Sequence, residues 1–546
     1  MGLGGGQEIG RGVSEVLVAA RASATTFPSP QPPRGNQSMY LSPSLRTICA
    51  ICCSGVVAAT PSIAEAATRH VTDSGRGSAC TQSRPCSLST AVSDASAGDT
   101  IRVHSGIYTA AVEIRKSGQP ESPIIIEGVA GAVITSPNRN SNGAFTFQWG
   151  ASHWIVRNLT FDGLGQNTAR SAIHINPGSS DIQIIGNTVR DWGGHENLYL
   201  WPGGVRLQAF NGVIDNIVIK GNTMIGVRGP AVHVTRMSTN VIIEDNDISE
   251  SRCAKVNFDP SAPSPVIRYR KEGIKIGGTN PAANTSVVIR NNKVHDFAPA
   301  SNCQSGLHDS NGIYCDVGAT HGLIAGNHVY NIRGGRSSSG IHVESRCHNW
   351  KVVNNLASNI KEGVRLRNTN NSSVINNTIH DVDIGLFMVG NSNGAQTNAV
   401  IRNNIFSDIN DVGIKVQGPN AEQGRNIYDH NLFHLPSKTA GIGLWGNTRY
   451  SKLQLTAWRN ACACDENSLL EDPRLNVTNA SISEGFHLTA ESAAIDAGTG
   501  ADAPGSDFDG EARPQGKAYD IGAFEYGGTS STRPPVAPTG LTVSSR

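Results

Sequence analysis

Charge is scarce in this chain of 546 residues and nearly balanced: 16% of residues are charged and the formal net charge is +1. Such a chain sets up no overall field, so nothing in its charge selects nucleic acid. Aromatic residues make up only 5%. Long apolar runs are missing as well. No segment beyond residue 67 approaches the ~20 apolar residues a membrane span needs, so no membrane partner is expected. No Cys-x-x-Cys pair is matched by a pair of histidines, which argues against a structural zinc site. Glycine, in contrast, is plentiful at 60 residues. It follows no G-x-y period, so the composition is turn-rich and helix-poor without being collagen-like.

The first residues do not read as fold. Positions 1–38 are rich in Gly, Pro and Ser and have no apolar periodicity. From Met39 a cationic Arg46, an apolar stretch from Ile48 to Ala59 and the small-residue site Ala64-Glu65-Ala66 form the pattern of a secretory signal peptide over 39–67. Cleavage is expected near Ala66-Ala67 and export to the periplasm or the extracellular medium should follow. Removing this segment takes away Cys49, Cys52 and Cys53 and leaves eight of the 11 cysteines, an even number suited to disulfides in an oxidising compartment. Cys80 and Cys86 should close a small loop. Cys315 either stays a core thiol or pairs with Cys347.

Two short patterns alternate through the middle of the chain. One is apolar-x-x-Asn-x-apolar, with its Asn at 187, 222, 246, 292, 327, 355, 377, 404 and 431. The other is Gly-apolar-x-apolar, as in GVRL at 204, GIKI at 273, GIYC at 312, GIHV at 340, GVRL at 363, GLFM at 385, GIKV at 413 and GIGL at 441. Degenerate versions, AIHI at 172 and AVHV at 231, fill the gaps. Each segment has strand length, β-branched residues and alternation. Parallel strands without connecting helices cannot make a βαβ sheet, but they can make a coil that stacks on itself, one turn per repeat. The asparagines then stack at one corner. These features resemble the pectate-lyase-like parallel β-helix proteins, which carry such Asn ladders. The resemblance implies an all-β, right-handed parallel β-helix of about ten or more coils over 68–466, closed by a short N-terminal helix beginning at Ser87 or Ser89.

Residues 467–527 resemble the C-terminal segment of exported bacterial β-helix proteins of the choice-of-anchor type. Within it Asp507, Asp509 and Asp520 are read as surface turn carboxylates in preference to a Ca²⁺ site. The tail 528–546 is a Pro/Ser/Thr linker similar to the opening of a fibronectin type III module.

In Gly-apolar-x-apolar-x the apolar residues must face the core, so the two x positions face outward. Coil by coil they are His174 and Asn176, Arg206 and Gln208, His233 and Thr235, Lys275 and Gly277, Tyr314 and Asp316, His342 and Glu344, Arg365 and Arg367, Phe387 and Val389, Lys415 and Gln417. A purely solvated face favours Thr, Ser, Asn and Lys, as does an adhesive repeat protein. This stripe concentrates His, Arg and carboxylates. Insertions at 190–203, 250–271 and 297–311 all leave the coil at one corner, where they can wall a groove and offer Trp192, Tyr199, Trp201 and Tyr269 to sugar rings. Cys253 and Cys303 lie in neighbouring insertions and are expected to pair.

The stripe fits two chemistries acting on a polysaccharide, with the protein expected to work as a monomer. In the first, a base removes the proton α to a uronate carboxylate and cations neutralise the charge that develops. The segment EGIKIGG (Glu272 to Gly278) is similar to the lysine-bearing strand of calcium-dependent pectate lyases. The resemblance makes Lys275 the base, with Arg206, Arg365 and Arg367 binding acidic groups and His233, His342 and Tyr314 alongside. Those enzymes hold Ca²⁺ in a dense Asp cluster. Here only Glu244, Asp245 and Asp247 stand one coil earlier, so no cofactor is firmly indicated. In the second, Asp316 and Glu344 occupy equivalent places on successive coils, near the ~5–5.5 Å of a retaining carboxylate pair. NGIYCD resembles a strand of β-helix glycosidases. The cationic bias of the stripe tilts the sequence reading toward elimination on an anionic glycan.

Overall fold

The computed structural model describes residues 66–527 except 137, 139–140, 165–167, 194–202, 258–266, 278–284, 298–307, 317, 335–336 and 393. Residues 1–65, which include nearly all of the expected signal peptide, and the tail from 528 lie outside the described residues.

The repeat fixes the architecture because each motif needs a neighbour above and below. The outward x positions align coil upon coil: His174 pairs with Arg206, Arg206 with His233, His233 with Lys275, Lys275 with Tyr314, Tyr314 with His342, His342 with Arg365 and Arg365 with Phe387, all in parallel register. The residues just before them align inside, as Val205, Val232, Ile274, Ile313, Ile341, Val364, Leu386 and Ile414. All eight are at most 1% exposed. Each contributes roughly 1.5–3 kcal/mol by leaving water. The result is a right-handed parallel β-helix.

The motif glycines have a packing reason. A Cβ on Gly340 would stand 2.8 Å from the carbonyl oxygen of Gly363 and 2.9 Å from Ile360 Cδ1. A side chain there would force neighbouring coils apart.

The asparagine corner has two parts. The residue before each ladder Asn is left-handed: Gly186, Gly221, Asp245, Asn291, Gly326, Asn354, Asn376, Asn403 and His430 have φ between 51° and 63°. Gly, Asn and Asp adopt that conformation at least cost, which is why the corners read Gly-Asn, Asp-Asn and Asn-Asn. The ladder Asn then turns inward and bonds its successor. Asn327 Nδ2 donates to Asn355 Oδ1 at 3.0 Å, Asn355 Nδ2 to Asn377 Oδ1 at 2.9 Å and Asn377 Nδ2 to Asn404 Oδ1 at 2.9 Å. The same bond runs from Asn187 through to Asn431. Asn431 ends the series on Asp465, its Nδ2 3.3 Å from Oδ1.

At the N-terminal end, helix Leu88–Asp94 starts at Ser87, whose hydroxyl accepts the Thr90 amide at 3.1 Å. Cys80 and Cys86 are joined just before it. Cys315 pairs with Cys347, which resolves the two sequence alternatives, and Cys462 pairs with Cys464. Cys253 is disulfide-bonded too; Cys303, its expected partner, lies outside the described residues.

The C-terminal segment adds no named strand. It runs along the asparagine corner and is held there by the left-handed asparagines. Asn354 Nδ2 donates to Ser506 O at 2.7 Å, Asn376 Nδ2 to Asp520 O at 3.0 Å and Asn403 Nδ2 to Thr499 O at 2.7 Å. Beneath it Phe486, Phe508 and Phe524 pack on Leu356, and Leu488 and Ile521 on Ile405 and Leu432. The expectation of surface carboxylates is therefore corrected: Asp507 is 2% and Asp520 1% exposed. Asp507 accepts the amides of Asp509, Glu511 and Glu525 at 2.9–3.0 Å, and Asp520 those of Asp496 and Tyr526 at 2.6–2.7 Å. Asp509 instead meets His487 Nε2 at 2.7 Å. These carboxylates pin backbone turns, leaving no set of oxygens arranged for a cation.

Candidate functional site: an ion-paired outward row

The x positions point away from the core, as the alternation requires, yet the first of each coil from His174 to His342 is buried. His174 and Lys275 are 2% exposed, Arg206 and His233 3% and His342 6%. Buried charges need partners, and the partners come largely from residues just before the motif glycine. Lys275 Nζ lies 2.9 Å from Asp316 Oδ2 and 3.6 Å from Glu272 Oε1. Arg270 Nη1 meets Glu272 Oε1 at 3.3 Å. Arg365 Nη1 meets Glu362 Oε2 at 3.2 Å, and Ser339 Oγ donates to the same oxygen at 2.7 Å. Arg367 Nη1 lies 2.9 Å from Glu344 Oε1.

Tyr314 stands at the centre. Its hydroxyl lies 3.2 Å from Asp316 Oδ1 and 3.0 Å from Glu344 Oε2, so one phenol bridges the two carboxylates. Lys275 Nζ sits 5.0 Å from the centre of its ring, and the His342 ring 4.9 Å away. His342 Nε2 is 3.2 Å from Glu344 Oε2 and Nδ1 is 3.4 Å from Asn311 Oδ1. Sharing one hydroxyl brings the two carboxylates to the same point on successive coils.

Burial controls titration here. It holds His233 well below its ordinary value, helped by Arg206 and Lys275. His342 is held down by burial and by Arg365, and His174 falls to about 3 through burial and Arg206. The three imidazoles are neutral at pH 7. Burial with Arg170 nearby brings Arg206 down to about 10. Tyr314 is pushed well above its ordinary value by burial, then by Asp316 and Glu344.

The structure thus brings together Lys275, Asp316, Glu344, His342 and Tyr314, with Arg365 and Arg367 on the next coil and Arg206 and His233 on the preceding ones. It adds Arg270, Glu272, Asn311 and Glu362, which the sequence reading missed. Arg270 lies in strand Ile267–Ile276, which begins inside the 250–271 insertion; the first residues of the strand pair antiparallel with Ala254–Asn257. Trp192 is a correction. It is 0% exposed, donates Nε1–H to Ala169 O at 3.1 Å and packs edge-on against Phe161, so it is a core residue and no sugar platform. The chain re-enters the coil before the insertion departs. Tyr199, Trp201 and the Tyr269 side chain lie outside the described residues.

The five candidate carboxylates for a cation already have partners. Asp316 and Glu344 already face Lys275, Tyr314, His342 and Arg367. Glu244 is paired with Lys220 and Arg290, Asp245 with Lys220 and Asp247 with His295. Among the described residues Cys462, Cys464 and Asp465 cluster at metal-ligand spacing, but the two thiols form a disulfide.

The coiled strands and their ion-paired face define a right-handed β-helix protein. A family model described as "Right handed beta helix region" matches residues 273–456, the stretch that carries most of this cluster. Among solved structures the chain is similar to pectate lyase Pel9A at 16% identity, covering 84% of this chain and 96% of that one, with a TM-score of 0.44. It is similar to a PL6 family polysaccharide lyase from Pseudopedobacter saltans at 15% identity, covering 77% and 98%, with a TM-score of 0.46. A GH136 lacto-N-biosidase from Eubacterium ramulus aligns at 11% identity over 74% and 67%, with a TM-score of 0.44. No curated protein matches in sequence.

Proposed function

We propose that this is a secreted polysaccharide-degrading enzyme that hydrolyses glycosidic bonds with Asp316 and Glu344. The observation that carries the reading is the single Tyr314 hydroxyl between the two carboxylates. A hydroxyl donates its single proton to one carboxylate oxygen and, set against both, ties the two side chains to one point. Two carboxylates converging on one point of adjoining coils are the equipment for a nucleophile and an acid acting on one glycosidic bond. Lys275 Nζ lies 2.9 Å from Asp316 and Arg367 Nη1 2.9 Å from Glu344, so each member of the pair has its own cationic partner. The cationic bias that favoured elimination is offset by Glu272 and Glu362, and carboxylates against Lys275 oppose its service as a base.

A second reading, β-elimination on a uronate glycan, is favoured by Arg206, which lies in register between the neutral His174 and His233 two coils before Lys275. Those groups suit a substrate carboxylate.

Incubation with a panel of neutral and uronate-containing polysaccharides decides between them. Hydrolysis leaves saturated products, with Asp316→Asn and Glu344→Gln each losing about 10²-fold or more and Lys275→Ala retaining activity. Ultraviolet-absorbing unsaturated ends, abolished in Lys275→Ala, would establish elimination. Retention of one glycan without cleavage would leave a carbohydrate-binding protein. The disulfides support export, and intact mass of the secreted protein should place its start near Ala66-Ala67.

A further inference from the structure

The second outward position is half-buried at Gln148, Asn176, Gln208, Asp316, Glu344 and Arg367 and buried at Thr235 and Gly277. It forms a row beginning one residue past the registered pairs Phe147 with Ile175 and Ile175 with Leu207. The row runs Gln148, Asn176, Gln208, Thr235, Gly277, Asp316, Glu344 and Arg367. Gln148, Asn176 and Gln208 are half-buried, and Asn176 Nδ2 approaches Gln148 Oε1 at 3.5 Å. This end offers amides, which both donate to and accept from hydroxyls. The turns that follow leave an apolar edge beside them. Trp149 is 61% and Val213 43% exposed, and between them Gly178 donates its amide to Val213 O at 2.7 Å. A lone exposed Trp needs no explanation. A Trp next to Gln148, the first of three amides on the row that leads to Asp316 and Glu344, is a different matter.

We infer that Trp149 and Val213, with Gln148, Asn176 and Gln208, form a distal subsite for the uncharged, hydroxyl-bearing part of a glycan chain lying along the helix axis. The inference rests on the polysaccharide reading above and names a property of its substrate. The ring of Trp149 covers the apolar face of one sugar while the amides take the hydroxyls of its neighbours. Five inter-coil steps of ~4.8 Å separate Gln148 from Asp316, so the substrate must be a polymer reaching about 24 Å.

The test is affinity electrophoresis and cleavage of full-length protein on polygalacturonate, alginate, xylan and glucomannan, comparing wild type with Trp149→Ala and Trp149→Phe. On whichever polymer wild type binds or cleaves, Trp149→Ala should weaken binding about tenfold, which is ~1.4 kcal/mol. Trp149→Phe should recover most of it, and turnover of short oligosaccharides should be unchanged. Wild-type affinity in Trp149→Ala would overturn the subsite and leave the polysaccharide reading standing. If wild type neither binds nor cleaves any of the polymers, the reading and the subsite fall together.

Discussion

Asn355 is 1% exposed and makes five hydrogen bonds through its amide. Its Nδ2 donates to Ile324 O and Val353 O at 3.0 Å and to Asn377 Oδ1 at 2.9 Å, while its Oδ1 accepts the Asn327 backbone amide at 2.9 Å and Asn327 Nδ2 at 3.0 Å. Asn355→Ala removes all of them. The Asn327 side chain keeps Ile289 O and Ala325 O, and Asn377 Oδ1 keeps the Asn355 backbone amide. The group deprived outright is the buried Asn327 N–H. Orphaning it costs about 1–3 kcal/mol, and each other lost bond about 0.5–1.5 kcal/mol before relaxation. A loss of about 3–5 kcal/mol is expected in urea unfolding followed by far-ultraviolet circular dichroism. Asn355→Asp should fare no better at pH 7, because it turns an oxygen toward Asn377 Oδ1 and two carbonyls. Loss below about 1 kcal/mol in both variants would refute the ladder as a source of stability.

Three further outcomes are expected. Tyr314→Phe keeps the ring contacts but removes the shared hydroxyl, so kcat on the active polysaccharide should fall about tenfold or more with the fold intact; an unchanged kcat would count against the bridged pair. His174 is neutral in the folded state with its pKa lowered to about 3. It therefore stabilises fully above the unfolded value near 6.5 and loses that contribution as pH falls toward 3, so His174→Gln should lose stability less steeply over pH 6–4, by up to ~1.4 kcal/mol per pH unit. Equal slopes would contradict this. Arg513 and Glu525 form a fully buried pair at 2.6 Å, and Arg513→Met should cost about 3–5 kcal/mol. Limited proteolysis should then cut within 487–526 before the coil, and uniform resistance would show that the segment holds without the pair.

The coil was legible because its two requirements, a left-handed corner and a close-packed glycine, are met by residues that recur visibly. The outward stripe followed from alternation alone. Glu272, Asn311 and Glu362 were missed because alternation was counted forward from the motif glycine. The residue just before that glycine also lies on the outward face, three positions ahead of the first x residue, and this constant offset was the signal available. Without those acids the stripe looked cationic and exposed, whereas it is ion-paired and buried. Trp192 misled because an insertion's first residues still belong to the coil. The burial of Asp507 and Asp520 was hidden for another reason: it depends on contacts with asparagines more than a hundred positions earlier, which no local pattern records.

Because every coil advances the chain by the same ~4.8 Å, the β-helix is a ruler graduated in coils. The number of coils between Trp149 and Asp316 fixes how far along a bound chain the cut falls, independently of loop conformation. Deleting a whole repeat between them, such as the one from Gly204 to Pro230, should move the cleavage position by a fixed increment without removing any group in contact with Tyr314. Product length would then be inherited as a count of repeats.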